Sequence, residues 1–245
     1  MGKIAKHQRR AVRKLVRGWR QGLAERSPEW ARESLGPAVN WADMLLVDHG
    51  IFRLAYLNLH PLGRKAWRSA QPAPHQIARI ARLGIKTIIN LRGPRWCGSY
   101  WLEQQACRRH GLRLVDYQVR SRAAPTRAEV LGARDLLREV EGPILLHCKS
   151  GADRAGLMST LYLIAAEGVP VDEARRQLSA RFGHIQQSDT GILDYFFERY
   201  LAFNQKQPMP FFDWVEHVYD PEEVKRTFEA RGWANVIVNK VLRRE

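Results

Sequence analysis

The stretch from Pro143 to Glu167 constrains this chain more than any other. Pro143-Ile-Leu-Leu-His147 is a short apolar run suited to a buried strand, and Ala155 to Glu167, carrying Leu157, Met158, Leu161, Leu163 and Ile164, reads as an apolar helix. Only Cys148-Lys149-Ser150-Gly151-Ala152-Asp153-Arg154 lies between them. A strand that passes into a helix through so short a loop wraps that loop around the helix N-terminus. There, unpaired backbone N–H groups and the positive end of the helix dipole collect an anion. Gly151 relieves the backbone where it curves, Arg154 offers a planar fork for two oxygens, and the same field favours the thiolate of Cys148, its nucleophilic form.

A cysteine six positions before an arginine is a weak signal by itself in an arginine-rich chain with 3 cysteines, so the flanking pattern has to support it. Trp67 to Pro72 reads as a short strand ending in a turn, and Pro74 opens a helix with Ile77 and Ile80 inward that Gly84 stops. Lys86 to Leu91 is a β-branched run between glycines, hence a buried strand. A helix over Tyr100 to His110, a strand over Leu112 to Val119, a basic loop Arg120 to Pro125 and a Thr126-capped helix to Glu141 follow. Beyond the central loop, helices are expected over Val171 to Phe182 and Thr190 to Asn204. Strands alternating with helices predict an α/β fold: a single, mostly parallel central sheet flanked by helices, with a basic N-terminal helical arm and a C-terminal helical extension. The expected boundaries are residues 1–40 for the arm, 41–205 for the domain and 206–245 for an extension packed on it, with a helix starting at Asp220-Pro221 and stopping at Gly232.

Charge narrows the partners. Lys and Arg number 40 against 25 Asp and Glu, a formal net charge of +15, which favours anionic partners. Residues 1–26 hold nine Lys or Arg and one acid, with Val12, Val16, Trp19 and Leu23 at helical spacing, so this arm either docks its apolar stripe on the domain or contacts an anionic membrane. Specific nucleic-acid binding is not expected, because no base-reading motif is present. The longest apolar runs fall short of the ~20 residues a membrane span needs, and the basic start lacks the apolar middle of a secretory signal. Cys97, Cys107 and Cys148 have neither a bridge framework nor metal-type spacing, so a cytoplasmic location is expected, with peripheral contact at the inner membrane surface as its extension.

His147-Cys148-Lys149-Ser150-Gly151-Ala152-Asp153-Arg154-Ala155-Gly156 resembles the HCxxGxxR(S/T)G signature of the cysteine-dependent protein-tyrosine and dual-specificity phosphatases. Arg68-Ser-Ala-Gln-Pro72 and Gly84 to Arg92 are similar to the early strands of the compact bacterial, atypical dual-specificity branch, so the likeness covers roughly residues 60–205. It implies phosphomonoester hydrolysis with Cys148 as nucleophile, Arg154 and the N–H groups of the 149–152 loop (Lys149, Ser150, Gly151, Ala152) as phosphate ligands, His147 in support, and neither cofactor nor metal. The implied substrate is a phosphorylated protein or, as the alternative, a phospholipid or inositol phosphate, Lys149 and the rim residues Arg120 and Arg122 suiting a multiply charged group.

The chain departs from that pattern in two places. The loop Arg120 to Pro125 holds no carboxylate where the family keeps its general acid, and Ala155 replaces the hydroxyl that helps the thiolate leave. Two residues compete for the acid role: Asp153 at the lip of the loop, which could instead cap the next helix or pair with an arginine, and Asp116, placed within a strand. The missing acid and hydroxyl also admit a catalytically weak phosphate-binding module. Gln186 and Gln187 are secondary candidates for holding the hydrolytic water, and Cys97 and Cys107 are read as ordinary buried residues.

Overall fold

The computed structural model describes residues 29–48 and 50–230. The amphipathic arm expected over residues 12–23 and the stop at Gly232 lie outside the described residues. In chain order the elements are α1 (Glu29–Ala42), a π-helical turn (Asp43–Val47), α2 (Ile51–Ala55), β1 (His60–Leu62), β2 (Ala66–Ala70), α3 (Pro74–Arg82), β3 (Thr87–Asn90), α4 (Gly98–Arg109), β4 (Arg113–Asp116), α5 (Arg127–Glu139), β5 (Ile144–Cys148), α6 (Asp153–Glu167), α7 (Val171–Ala174), α8 (Ile192–Asn204) and α9 (Phe211–His217). Residues 221–230 are helical as well.

The strands form one sheet in the order β1-β2-β5-β3-β4, parallel except for the antiparallel edge strand β1. β5 is central and buried along its length, so both of its faces must be apolar. Ile144 and Leu146 pack with Ile89, Leu157, Leu161 and Phe196 on one side, while Leu145 packs with Ile77, Ile80 and Ile88 on the other. That split is the two-residue period of a strand seen in the core. Helices α5, α6 and α8 cover the first face and α3 and α4 the second.

The register aligns the strand ends on one edge: Ala70 of β2 pairs with Cys148 and Asn90 of β3 with His147. The crevice beyond the carboxyl ends of parallel strands is where α/β folds bind ligands, and Cys148 stands at its centre.

Three expectations need correction. The helix expected over Val171 to Phe182 is broken into α7 and two 3-10 turns, Arg175–Gln177 and Ala180–Phe182. The Gln177 carbonyl turns away to accept a bond from Arg68, and Leu178 packs over Gly156, contacts that a continuous helix would not allow. The strand expected from Leu112 to Val119 is only Arg113–Asp116, an edge strand whose ladder loosens after Asp116. Asp116 is therefore its last residue and not mid-strand.

The described part of the extension is built into the core through Phe211, Trp214, Val215, Tyr219 and Val224. Phe211, Trp214 and Tyr219 pack, mostly edge-on or tilted, against Phe196, Phe197 and Tyr200 at centroid separations of 4.8 to 5.9 Å. From there the Tyr219 hydroxyl donates to the Pro125 carbonyl at 2.7 Å and Arg127 Nε donates to the Tyr219 carbonyl at 2.6 Å. Thr126 and Glu129 close a capping box at the start of α5, and Glu129 also takes Arg120. The loop that faces Cys148 is thus tied down at its far end.

Candidate active site

A cavity of about 750 Å³ opens at the end of β5, lined by Arg53, Arg95, Arg120, Arg122, Lys149 and Arg154, with Asp153 as its carboxylate. Cys148 is 2% exposed at the end of the strand, and Arg154 lies in the first turn of α6. Of the residues expected at the site, Lys149, Ser150, Asp153, Arg154 and the rim residues Arg120 and Arg122 line this cavity, and Cys148 immediately precedes Lys149 without lining it. Asp116 is outside the lining: its carboxylate accepts from Asn90 Nδ2 at 2.7 Å and from the Tyr100 hydroxyl. Gln186 donates to Glu198 and does not line the cavity.

Gly151 has φ +77°, a conformation that side chains other than glycine adopt at a cost. A methyl group there would sit 2.7 Å from the Ala70 nitrogen and the Ser69 carbonyl carbon and 2.9 Å from Asn58 Nδ2. Backbone cannot yield as a flexible side chain can. Gly151→Ala is expected to displace the loop and to lower both melting temperature and phosphate affinity by more than tenfold in the latter; a folded variant with wild-type inhibition by inorganic phosphate would contradict this.

Asp153 neither caps α6 nor pairs with an arginine. The N-cap is Ala152, without a side-chain bond, and Asp153 Oδ1 lies 2.8 Å from Nδ1 of His184. His184 Nε2 lies 2.6 Å from Asp194 Oδ2. Burial works against charge on His184, which is 2% exposed, but the hydrogen bonds and charges of Asp153 and Asp194 outweigh it and raise the imidazole to about 9. Because the folded value is raised, the stabilisation is full below the ordinary value near 6.5 and is lost as pH rises through about 9. Urea unfolding should therefore show a loss of ~1–3 kcal/mol between pH 6.5 and 9.5, after allowance for solvent at the pocket lip. The same titration of His184→Gln should be flatter, and an identical slope would dismiss this pairing.

A buried network that the sequence did not disclose supports the loop. His147 Nε2 approaches Glu103 Oε1 to 2.8 Å, both side chains being fully buried, in a close contact that is not an aligned hydrogen bond. Glu103 in turn accepts from Gln71 at 2.7 Å. Gln71 also accepts from Arg53 and Arg92, and both arginines reach the buried Asp48. Lys149 closes the circuit 3.2 Å from Asp48 Oδ1. Burial works to raise Asp48, but the Arg92 hydrogen bond and the charges of Arg92, Arg53 and Lys149 outweigh it and hold the carboxyl well below the usual range. Lys149, expected as a phosphate ligand, is thus already partnered on one side; burial lowers it and Asp48 opposes that shift. Only the Arg68-Ser-Ala-Gln-Pro72 stretch had carried a signal for any of this, through its likeness and not its spacing.

A sheet with four parallel strands, a cysteine at the end of its central strand and an arginine at the head of the following helix keep the layout expected from the likeness to the tyrosine and dual-specificity phosphatase class. The family described as "DSP-PTPase phosphatase fused to NAD+ Kinase" matches residues 61–191, over half of the chain, and the chain belongs to that family. Among curated relatives, the dual specificity protein phosphatase TpbA of Pseudomonas aeruginosa is 29% identical over 150 residues, covering 59% of this chain and 55% of the relative. The β-lactamase hydrolase-like protein of Xylella fastidiosa is 30% identical over 166 residues, covering 64% of this chain and 36% of the relative. The chain thus spans about half or less of the length of these relatives. The crystal structure of P. aeruginosa TpbA is similar with a TM-score of 0.48 and 21% identity, over 59% of this chain and 86% of that one. No helix among the described residues is long and apolar enough to cross a membrane, and the three cysteines are unpaired.

Proposed function

We propose that this chain hydrolyses phosphomonoesters through a cysteinyl-phosphate intermediate, as a phosphatase of the protein-tyrosine and dual-specificity type. The observation that carries the reading is the placement of Cys148 at the end of β5, directly before the Lys149 and Ser150 that line a cationic cavity together with Arg154 in the first turn of α6. In the first step Cys148 Sγ bonds to phosphorus as the ester P–O bond breaks, and the electron pair leaves with the alcohol oxygen, which takes a proton. Arg154 and the loop N–H groups stabilise the charge spread over the equatorial oxygens. In the second step water attacks phosphorus, the P–S bond breaks and the thiolate returns.

Asp153 is the proposed proton carrier, relaying the Nδ1 proton of the cationic His184 to the leaving oxygen and returning one from the attacking water to His184. Its placement on the cavity wall supports this, and His184 at 2.8 Å holds the carboxylate there and supplies a second proton site. With Ala155 offering no hydroxyl to the departing thiolate, breakdown of the intermediate should be the slow step. The test is rapid-quench turnover of nitrophenyl phosphate. A burst of nitrophenolate equal to the enzyme present, with a phosphoryl group on the Cys148 peptide after acid quench, is expected. Turnover with neither burst nor phosphocysteine would reject the covalent route, and absence of turnover would favour the weak binding module.

A second reading rests on the wall itself. Arg53 and Lys149 share Asp48 and Arg120 pairs with Glu129, yet Arg95, Arg122 and Arg154 still face Asp153 alone on the wall, and this favours a substrate with further anionic groups, such as an inositol phosphate or a phospholipid head group. Comparing kcat/KM for phosphotyrosine peptides and for multiply phosphorylated inositol head groups at rising salt separates the two. Contact of residues 1–26 with an anionic membrane belongs to this second reading.

A further inference from the structure

Three successive carbonyls of the anion loop are held by side chains from outside the loop. Asn58 Nδ2 donates to the Ser150 carbonyl at 3.0 Å, and Arg68 Nη2 donates to the carbonyls of Gly151 at 2.7 Å and Ala152 at 3.2 Å. In a trans peptide the C=O of one residue and the N–H of the next point in opposite directions. Fixing three successive carbonyls therefore aims the N–H groups of Gly151, Ala152 and Asp153 the opposite way, and it is this orientation that an anion at the head of α6 requires.

Both donors are themselves locked. Arg68 is 0% exposed on β2, two residues before the register pair Ala70–Cys148. Its Nη1 donates to the Gln177 carbonyl at 2.7 Å and to Gln177 Oε1 at 2.8 Å, and its guanidinium lies 3.9 Å over the ring of Phe182. Asn58 Nδ2 also donates to the Phe182 carbonyl at 2.9 Å, while Asn58 Oδ1 meets His60 Nε2 at 3.0 Å. Asn58 keeps φ +52°, a conformation that few residues other than glycine, asparagine and aspartate tolerate. A fully buried guanidinium with no carboxylate partner among the described residues is costly to retain unless its charge is used.

We propose that Arg68 and Asn58 are positioning residues that preset the amide groups of Gly151, Ala152 and Asp153 for a phosphoryl group, Arg68 adding a buried positive charge beneath the loop that follows Cys148. Burial lowers Arg68 to about 10, with Cys148 opposing that shift, so the guanidinium is still charged at neutral pH. This deepens the phosphatase reading and rests on it for the identity of the anion. The loop's anion affinity can nevertheless be measured without turnover.

The experiment uses the full chain and three variants, Arg68→Lys, Arg68→Met and Asn58→Ala. Alkylation of Cys148 by iodoacetamide at fixed pH is followed with increasing inorganic phosphate, beside kcat and KM for nitrophenyl phosphate and the melting temperature. Since removing one donor at an oxyanion site costs ~10²–10³ in rate, misaligning donors through a lost support should cost roughly 10–100-fold in phosphate protection and in kcat. Arg68→Met should also slow alkylation itself, whereas Arg68→Lys, which keeps the charge but not the fork, should restore alkylation and leave phosphate protection weak. Asn58→Ala, which frees the Ser150 carbonyl and leaves the charge intact, should weaken protection alone, and it keeps the proposal testable if the arginine variants do not fold. Folded variants with wild-type protection and kcat would overturn the proposal. If wild-type phosphate protects Cys148 but no ester is turned over, the phosphatase reading fails while the positioning role stands.

Discussion

Cys148→Ser is expected to lower turnover of nitrophenyl phosphate by roughly 10⁴-fold or more while leaving the fold and phosphate binding in place, since the loss of a covalent nucleophile forfeits the whole two-step route. The substitution changes little in volume at a site that is 2% exposed, so packing should survive. Reactivity should not. A hydroxyl ionises far less readily than a thiol, so the serine oxygen stays protonated where the cysteine sulfur can form its thiolate. Arg154 and the amide cradle remain, so the variant should hold substrate without turning it over. Steady-state kinetics and melting in phosphate check both halves. Wild-type turnover by the serine variant would remove Cys148 from the mechanism.

Asp48→Asn should cost ~3–5 kcal/mol of stability, the range found when one member of a buried charge cluster is removed. At roughly 2–4 °C per kcal/mol for a chain of this size, the melting temperature should fall by ~6–20 °C. The carboxylate accepts from Arg53, Arg92 and Ser99 and pairs with Lys149, and the two arginines are 4% and 7% exposed. An amide is nearly the same shape, but it presents two donors to a site made only of donors and leaves three cations facing one another. Because Asp48 is held well below the usual carboxylate range, its contribution is present above pH ~4 and is lost as acid protonates it through its lowered folded value. The acid limb of the stability profile should therefore be shallower in the variant. Urea denaturation between pH 2 and 7 measures this, and a loss below ~0.5 kcal/mol would show that the cluster is solvated and not a buried hub.

The strength of this hub also explains how residues 43–55, which precede the family match, come to be part of the site. Asp48 reaches Lys149 directly, and Arg53 reaches His147 through Gln71 and Glu103, so the hub touches the residues on either side of the nucleophile. The C-terminal extension acts on the opposite wall, where Tyr219 anchors Pro125.

Local pattern was legible wherever neighbours in sequence decide the outcome. The Pro74 helix start, the Thr126 cap, the apolar strands β3 and β5 and the glycine at the loop apex are all short-range devices, and each appears within a few residues of its expected place. Pattern failed where a distant group competes for the backbone. The helix expected over Val171 to Phe182 gives up a carbonyl to Arg68, 109 positions away, and nothing within that segment signals the loss. His184 escaped notice for the same reason, since its partners lie 31 and 10 positions away on two helices.

The sequence by itself determined the class of fold, the family, and the strand–loop–helix unit that carries Cys148 and Arg154, because a tight loop before an apolar helix has few ways to arrange its N–H groups. Only the tertiary structure decided the neighbours of that unit. Asp153 faces a histidine, Lys149 is shared with Asp48, and Arg68 stands beneath the loop because parallel pairing sets β2 beside β5. Those placements are made by strand order and helix packing, which bring together residues that no local spacing relates, and in a buried, poorly solvated site it is the placed charges that set what the loop can do.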